Sequence, residues 1–197
     1  MKNFWIALLI VVGVVFFGVL GIGGMYNQLV ASDEQVASAW GQVQNVYQRR
    51  VDLIPNLVET VKGYAAHEKQ TLEDVVNARS KVGQMNVSPQ SVNDPEALSK
   101  FQQAQQELSG ALSRLLVVVE RYPDLKANQN FLELQSQLEG TENRITVERM
   151  RFNEAAQNFN TLRRSFPTNL VANFEGFKEK AYFQADEGAA KVPAVKF

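Results

Sequence analysis

The sequence lacks cysteine, has a single histidine and has no excess of charge of either sign. The absence of cysteine excludes disulfides and thiolate metal sites, and one histidine excludes any site that needs two. With 20 Lys and Arg against 21 Asp and Glu, the formal net charge is -1. Nucleic-acid-binding proteins normally have a clear basic excess, so no nucleic acid is expected as a partner.

The chain also lacks the motifs of the common enzyme classes. His67-Glu68 is not followed by a second histidine at the spacing of the zinc-protease helix motif, and no P-loop or dinucleotide fingerprint occurs. Residue types alone leave a Ser–His–acid triad open, but no G-x-S-x-G elbow supports one. We interpret His67 as a surface or helix-junction residue, and we expect no catalytic residue, no metal and no cofactor.

What the sequence does have is a long apolar run near its N-terminus. No charged side chain occurs from Asn3 to Ser32, and Phe4 to Gly24 is almost purely apolar or glycine. About 20 such residues are the length that a helix needs to cross a bilayer. Trp5 and Tyr26, near the two ends, are expected at the membrane interfaces. The run predicts a single-pass transmembrane anchor over residues 1–25, with the lipid bilayer as a partner.

A cleaved signal peptide is the alternative interpretation of this run. The run is longer than a typical signal-peptide core of about 7–15 residues, and no A-x-A-like cleavage site follows it. An uncleaved anchor is therefore favoured. Lys2 precedes the run, whereas Asp33 and Glu34 follow it and the first basic residue beyond is Arg49. By the positive-inside rule, we expect a cytoplasmic N-terminus with the remainder of the chain outside.

Beyond Tyr26 the apolar residues recur at alternating steps of three and four, which is the heptad pattern of packed helices. The first such seam continues with little interruption from Val36 to Val82, the second runs from Leu98 to Tyr122, and the third from Phe131 to Phe166. A short helix is predicted after Pro167.

Long amphipathic helices with short connections predict an all-α, up-and-down bundle of three long helices and a short C-terminal helix. We place this bundle at residues 26–183 and a polar tail at 184–197. Since the first seam starts directly after Tyr26 without a Gly/Ser linker, the anchor and the bundle are predicted to form one nearly continuous helix.

The first predicted helix is much longer than the second, so its membrane-proximal half needs a cover. Three covers are open: the C-terminal helix and tail, a fold-back of the chain near Gly63, or a second protomer. Pro55 predicts a kink about one turn before it but does not force the helix to stop. Trp40 and Tyr47 lie in the uncovered half, and we expect them to form a membrane-proximal interaction surface.

Four polar side chains interrupt the seams: Arg50, Arg79, Gln105 and Glu148. Counted back from the turns, Glu148 should lie near the level of Arg79. We hypothesise a polar layer of Arg79, Glu148 and Gln105 that sets helix register. The alternative is that each side chain extends to solvent beside its seam.

Several segments, taken in order, resemble one known family. They are Arg49–Val58 (RRVDLIPNLV), Tyr122–Asn128 (YPDLKAN), Leu138–Ile145 (LEGTENRI) and Phe166–Leu170 (FPTNL). This string resembles the bacterial LemA family over essentially the whole chain. The resemblance implies a single-pass protein of the bacterial cytoplasmic (inner) membrane with a four-helix, bromodomain-like bundle. It implies no established catalytic activity or cofactor, and it includes links to membrane metallopeptidases and to magnetosome membranes.

Together, the seams and the resemblance predict a non-enzymatic scaffold or interaction module at the bacterial envelope. Its expected partners are copies of itself or other membrane proteins, with a membrane metallopeptidase among the candidates. An accessory or adaptor subunit of a membrane protease is the alternative function. An enzyme of unknown type is a third hypothesis, and it requires His67 to lie in a pocket with a buried carboxylate and a hydroxyl.

Overall fold

The structure is a computed structural model that describes residues 2–85 and 88–184. The described part of the chain is helical, with no strand. The helices are α1 (Lys2–Tyr64), α2 (Lys69–Gly83), α3 (Pro95–Val119), the short α4 (Pro123–Lys126), α5 (Gln129–Arg164) and α6 (Thr168–Phe174), with a 3-10 turn at Pro89–Asn93. The prediction of an all-α bundle that continues from an N-terminal apolar helix is confirmed.

The four longer helices alternate in direction. The side chain of Arg79 in α2 reaches the carbonyl of Val51 in α1, so α2 returns along α1. Helix α3 packs on α2, and α5 packs along α1 with Glu142 beside Arg50. The result is an up-down-up-down four-helix arrangement.

Helix α1 comprises 63 residues without a break, and it passes through Pro55. It is the one helix among the described residues that is long and apolar enough to cross a membrane, with a mean hydropathy of 2.9 in its most apolar window. The apolar run and the first bundle helix are therefore one helix, as predicted.

The first seam is divided between two helices, which the sequence left open. Helix α1 ends at Tyr64 and α2 starts at Lys69, so the chain folds back just after Gly63. Glu68 in the turn accepts hydrogen bonds from Arg121 and from the Tyr122 hydroxyl at the end of α3, both at 2.9 Å. Donation to this carboxylate raises the pKa of Tyr122. These contacts join the two turns at the membrane-distal end of the bundle.

The core follows the predicted seams closely. Helix α3 buries Leu98, Phe101, Gln105, Leu108, Leu112, Leu115 and Val119, which are the predicted residues of its seam. Asp94 caps the N-terminus of α3, because its side chain accepts a hydrogen bond from the Glu96 amide at 2.9 Å. The clear exception is Phe166, which ends the third seam and is 80% exposed.

The chain after α6 covers the membrane-proximal half of the bundle. Gly176 turns the backbone with a φ of 76°. Residues 177–184, which we call the C-terminal strap, then run in an irregular conformation against α5 and towards α3. Of the three covers that the sequence left open, the structure has both the fold-back and the C-terminal segment.

The two aromatic residues that we expected on an interaction surface are buried. Trp40 has no exposed area and Tyr47 is 4% exposed. Phe183 stacks on Trp40 with ring centroids 6.0 Å apart, and Phe101 packs edge-on against both Trp40 and Tyr47. Trp40 and Tyr47 are thus core residues and not a membrane-proximal surface, because the strap covers Trp40 and Phe101 of α3 packs on Tyr47.

The predicted tail at 184–197 falls almost wholly outside the described residues. Gln184 itself is held in place, since its amide donates to Gln102 and its carbonyl accepts from Gln102 and Arg149. Residues 185–197 lie outside the described part of the chain, so the boundary of the tail remains a prediction.

Candidate functional site

A buried arginine joins three helices in the middle of the bundle. Arg50 is 2% exposed, and its guanidinium lies 3.1 Å from the Glu142 carboxylate of α5. It also donates to the Ser109 hydroxyl and, at 3.5 Å, to the Gln105 carbonyl, both in α3. Burial lowers the pKa of Arg50 from its usual value, and the neighbouring Glu142 acts in the opposite direction. Arg50 thereby sets the register of α1, α3 and α5.

Arg79 supplies a hydrogen bond that Pro55 removes from α1. Pro55 has no amide hydrogen, so the carbonyl of Val51, four residues earlier, has no partner within the helix. The Arg79 Nε of α2 donates to this Val51 oxygen at 3.0 Å. The proline is therefore accommodated inside a continuous helix, and α2 is fastened to α1 at the same point.

Gln105 is buried, and its side-chain amide has no hydrogen-bond partner among the described residues. A cavity of about 130 Å³ borders it, lined also by Tyr47, Val51, Met85 and Phe101. The cavity is polar on the Gln105 side and has room for water, which is the usual partner of such a buried amide.

The structure gives the three residues of the hypothesised layer separate neighbours. Arg79 donates to the Val51 carbonyl, Glu148 accepts from Arg151 at 2.8 Å on its own helix, and the Gln105 amide faces the cavity. Arg79 and Glu148 form no ion pair in the described structure. The buried ionic contact between helices instead involves Arg50 and Glu142, since these lie at the same height on antiparallel α1 and α5.

Two asparagines of α5 hold the strap by bonds to its backbone. The Asn160 side chain accepts from the Lys180 amide and donates to the Lys180 carbonyl, each at 2.9 Å. Asn153 does the same for Phe183, at 2.9 and 3.0 Å. The two asparagines are seven residues apart, so they lie on one face of α5. A side-chain amide can accept a hydrogen bond from the backbone N–H of a residue and donate one to its carbonyl. The two asparagines thus satisfy backbone groups of the strap that have no partner in a helix or a sheet.

Lys180 links the strap to the start of the bundle. Its side chain is buried, forms an ion pair with Asp33 of α1 and donates to Asn93 at 2.8 Å. Its ammonium also lies 4.9 Å from the centre of the Phe159 ring. The strap is therefore attached to α1, α5 and the turn before α3 together.

The expected interface aromatics lie at the two ends of the apolar run. Trp5 is 61% exposed and packs edge-on against Phe4. Tyr26 is 40% exposed and its ring lies 6.2 Å from Phe177 at the beginning of the strap. Tyr26 thus marks the height at which the bundle begins.

The described residues do not assemble a catalytic constellation. His67 is exposed in the turn between α1 and α2, without the buried carboxylate and hydroxyl that a triad requires. No group of three or more His, Asp or Glu residues that could hold a metal ion occurs in the described parts of the chain. A groove of about 780 Å³ between α2 and α3 is open and lined by surface charges such as the Lys81–Glu107 ion pair.

Comparison with known proteins gives consistent matches over most of the chain. The sequence model of the LemA family matches residues 39–197. Protein LemA of Metamycoplasma hominis is 26% identical over 180 residues, which cover 88% of this chain and 78% of that protein. Magnetosome protein MamQ 2 of Paramagnetospirillum magneticum and magnetosome protein MamQ of Magnetospirillum gryphiswaldense are each 25% identical over 186 residues. Both alignments cover 86% of this chain and 68% of the relative.

Proposed function

This chain belongs to the LemA family, and we propose that it is a non-enzymatic scaffold that displays a helical bundle at a bacterial membrane. The proposal is supported by the bacterial relatives, Protein LemA and the magnetosome MamQ proteins, and by a helix that is long and apolar enough to cross a membrane. The scaffold role is our proposal, and it extends to contacts with other copies of the chain or with other membrane proteins.

The observation that carries the proposal is the continuity of α1. The apolar run and the bundle share one helix of 63 residues, so no flexible linker separates them. A helix rises about 1.5 Å per residue, so it transmits the position of the anchor directly to the bundle. Fixed height and orientation favour assembly with neighbours in the same membrane, whereas an anchored enzyme has no need of them.

The contacts of such a scaffold would involve the outer surface of the bundle. Val117 on α3 is 72% exposed and Met150 on α5 is 64% exposed, although both are apolar. They replace Trp40 and Tyr47 as positions from which partners can be reached.

In-membrane photo-crosslinking tests the proposal. A benzophenone amino acid at Val117 or Met150 of the full chain, expressed in bacterial membranes, is expected to give position-specific adducts with a second copy or another membrane protein. Glu59, whose side chain is 72% exposed, provides a charged control position. A monomer without adducts at every position would contradict a scaffold. An adduct with a membrane protease, combined with altered substrate turnover on deletion, would support the adaptor role in its place.

We also propose the bacterial cytoplasmic membrane as the location, with the N-terminus in the cytoplasm and the bundle outside. The support is the lysine before the apolar run and the acidic pair after it. Because the chain has no cysteine, Val117→Cys creates one unique thiol. A membrane-impermeant maleimide should label it in intact spheroplasts. Labelling only after lysis would reverse the orientation.

A further inference from the structure

Three large apolar side chains are exposed together at the membrane-proximal end of the bundle. Phe166 is 80% exposed, Leu170 61% and Phe174 89%. They are spaced four residues apart, and the last two belong to α6. Leu170 and Phe174 lie one helical turn apart and share one face of α6, and Phe166 lies just before the helix, in the turn that follows α5. We call these three residues the α6 face.

The opposite side of α6 is packed, so the exposure of the α6 face does not come from a loosely attached helix. Thr168 and Ala172 are buried, and Val171 packs against the core cluster that contains Leu29 and Val36 of α1. The Phe177 amide donates to the Ala172 carbonyl at 3.0 Å, which closes the turn after the helix. Helix α6 is therefore fixed on α1 and α5 with its aromatic side outward.

The register of α1 and α5 gives the height of the α6 face relative to the membrane. Glu142 is paired with Arg50, and Phe152 lies beside Trp40, ten residues further along each helix in opposite directions. Continuation of this antiparallel register to the last residue of α5, Arg164, places that end of the helix near Gln28, and the Phe177 ring after α6 lies 6.2 Å from the Tyr26 ring. Tyr26 comes two residues after the end of the apolar run at Gly24. The α6 face thus begins at the level where the anchor leaves the hydrocarbon.

We propose that the α6 face inserts into the interfacial region of the bilayer that holds α1, as a second membrane contact of the same molecule. Amphipathic helices that lie in the interface bury their apolar face about 5–10 Å into the boundary between headgroups and acyl chains. Phenylalanine and leucine are typical of that face. The occupant is lipid because the apolar surface is continuous in height with the membrane span.

The charged residues near the α6 face indicate which lipid headgroups it can contact. Arg163, Arg164 and Lys178 lie near Glu175 and Glu179 in the sequence, so the two signs nearly balance. Apolar burial therefore supplies the attraction, and the contact should form in zwitterionic as well as anionic bilayers. Two attachment points, α1 and the α6 face, would restrict rotation of the bundle about the membrane normal. This inference requires the anchor but not the scaffold role.

Single-cysteine labelling of the full chain tests the contact. Phe174→Cys and Leu170→Cys each carry an environment-sensitive fluorophore, in protein reconstituted into phosphatidylcholine vesicles with and without phosphatidylglycerol. Brominated acyl chains are expected to quench both labels strongly in both lipid compositions. Val76→Cys and Val147→Cys are matched controls, because they are also exposed apolar positions but lie on α2 and α5 of the bundle. They should remain open to aqueous iodide and unquenched by bromolipid.

Equal aqueous accessibility at positions 174 and 76 would overturn the proposal. A label at 174 that is shielded from both quenchers, with a short distance between spin labels on two protomers, would also overturn it, since a second copy would then cover the face. A further variant separates insertion from folding. Phe166→Ser with Leu170→Ser should leave the helical circular dichroism unchanged and should lower bromolipid quenching at 174 several-fold. Unchanged quenching in that variant would contradict a contact made by the α6 face.

Discussion

At the scale of single residues, Arg79 and Pro55 act on the same carbonyl group. Arg79 interrupts a seam in the sequence, which led us to hypothesise a polar layer with Glu148 and Gln105. No pattern of side-chain types could identify a backbone carbonyl as the partner. The clue is the proline, because the residue four positions before it, Val51, must lack its helical bond. The Arg79 guanidinium on the facing helix provides the donor that the Val51 carbonyl lacks.

Replacement of Arg79 by methionine should destabilise the bundle by about 1–3 kcal/mol, since it leaves the Val51 carbonyl without a partner in a buried position. In a Pro55→Ala background, the new Ala amide supplies that partner, so the same replacement should cost less by roughly 1 kcal/mol. Urea unfolding of the detergent-solubilised protein, followed by circular dichroism, measures this double-mutant cycle.

The control is Lys81→Met on the same helix. Lys81 forms an exposed ion pair with Glu107, so its loss should change stability by about 0–1 kcal/mol and show no coupling to Pro55. Equal effects of Arg79→Met with and without the proline would mean that the arginine does not serve this carbonyl.

Two asparagines that hold the strap were present in the sequence as a repeated pair. Phe152-Asn153 and Phe159-Asn160 lie seven residues apart, with each phenylalanine buried and each asparagine beside it. The repeat marks a polar line next to an apolar seam. What it binds could not be predicted, because the partner is backbone of the strap, which has no helical periodicity.

At the scale of elements, the helices were predictable and the strap was not. Heptad spacing identified the buried residues of α1, α3 and most of α5, because packing on one face of a helix requires that period. The end of α1 at Tyr64 was less visible, since the three–four spacing resumes in α2 after one irregular step of eight residues from Tyr64 to Leu72. The burial of Trp40 was not predictable for a related reason, because its cover is Phe183 of the strap, a segment without periodicity.

The strap should be an essential part of the core. Phe183 is 5% exposed and contacts Trp40 and Phe152, so Phe183→Ala is expected to cost about 3–5 kcal/mol. The sequence has two tryptophans, so in a Trp5→Phe background the emission comes from Trp40 alone. We expect this emission to shift to the red when Phe183 is lost, because water reaches the indole.

Glu179→Ala is the matched control within the strap, since Glu179 is exposed. It should change stability by no more than about 0.5 kcal/mol and leave the emission maximum in place. A Phe183→Ala protein with wild-type emission would show that the strap does not seal the Trp40 site.

At the scale of the whole molecule, the apolar run and the first bundle helix are one helix, α1. Helices in proteins derive most of their stability from tertiary packing. Packed contacts begin at Leu29, which is fully buried, only five residues beyond Gly24. The short stretch from Gly24 to Leu29 is therefore part of one continuous helix that enters the packed bundle. The consequence is a bundle held at a fixed height and angle, which is the property that the scaffold proposal needs.

The most direct test is the distance across this junction in a bilayer. Leu20 and Ser38 are exposed and 18 residues apart, which places them on the same face of α1. Spin labels at Leu20→Cys and Ser38→Cys in nanodiscs should give one narrow distribution near 27 Å, from about 1.5 Å of rise per residue. Three glycines inserted after Tyr26 should broaden it. A broad or much shorter distribution in the uninterrupted chain would contradict a rigid connection between anchor and bundle.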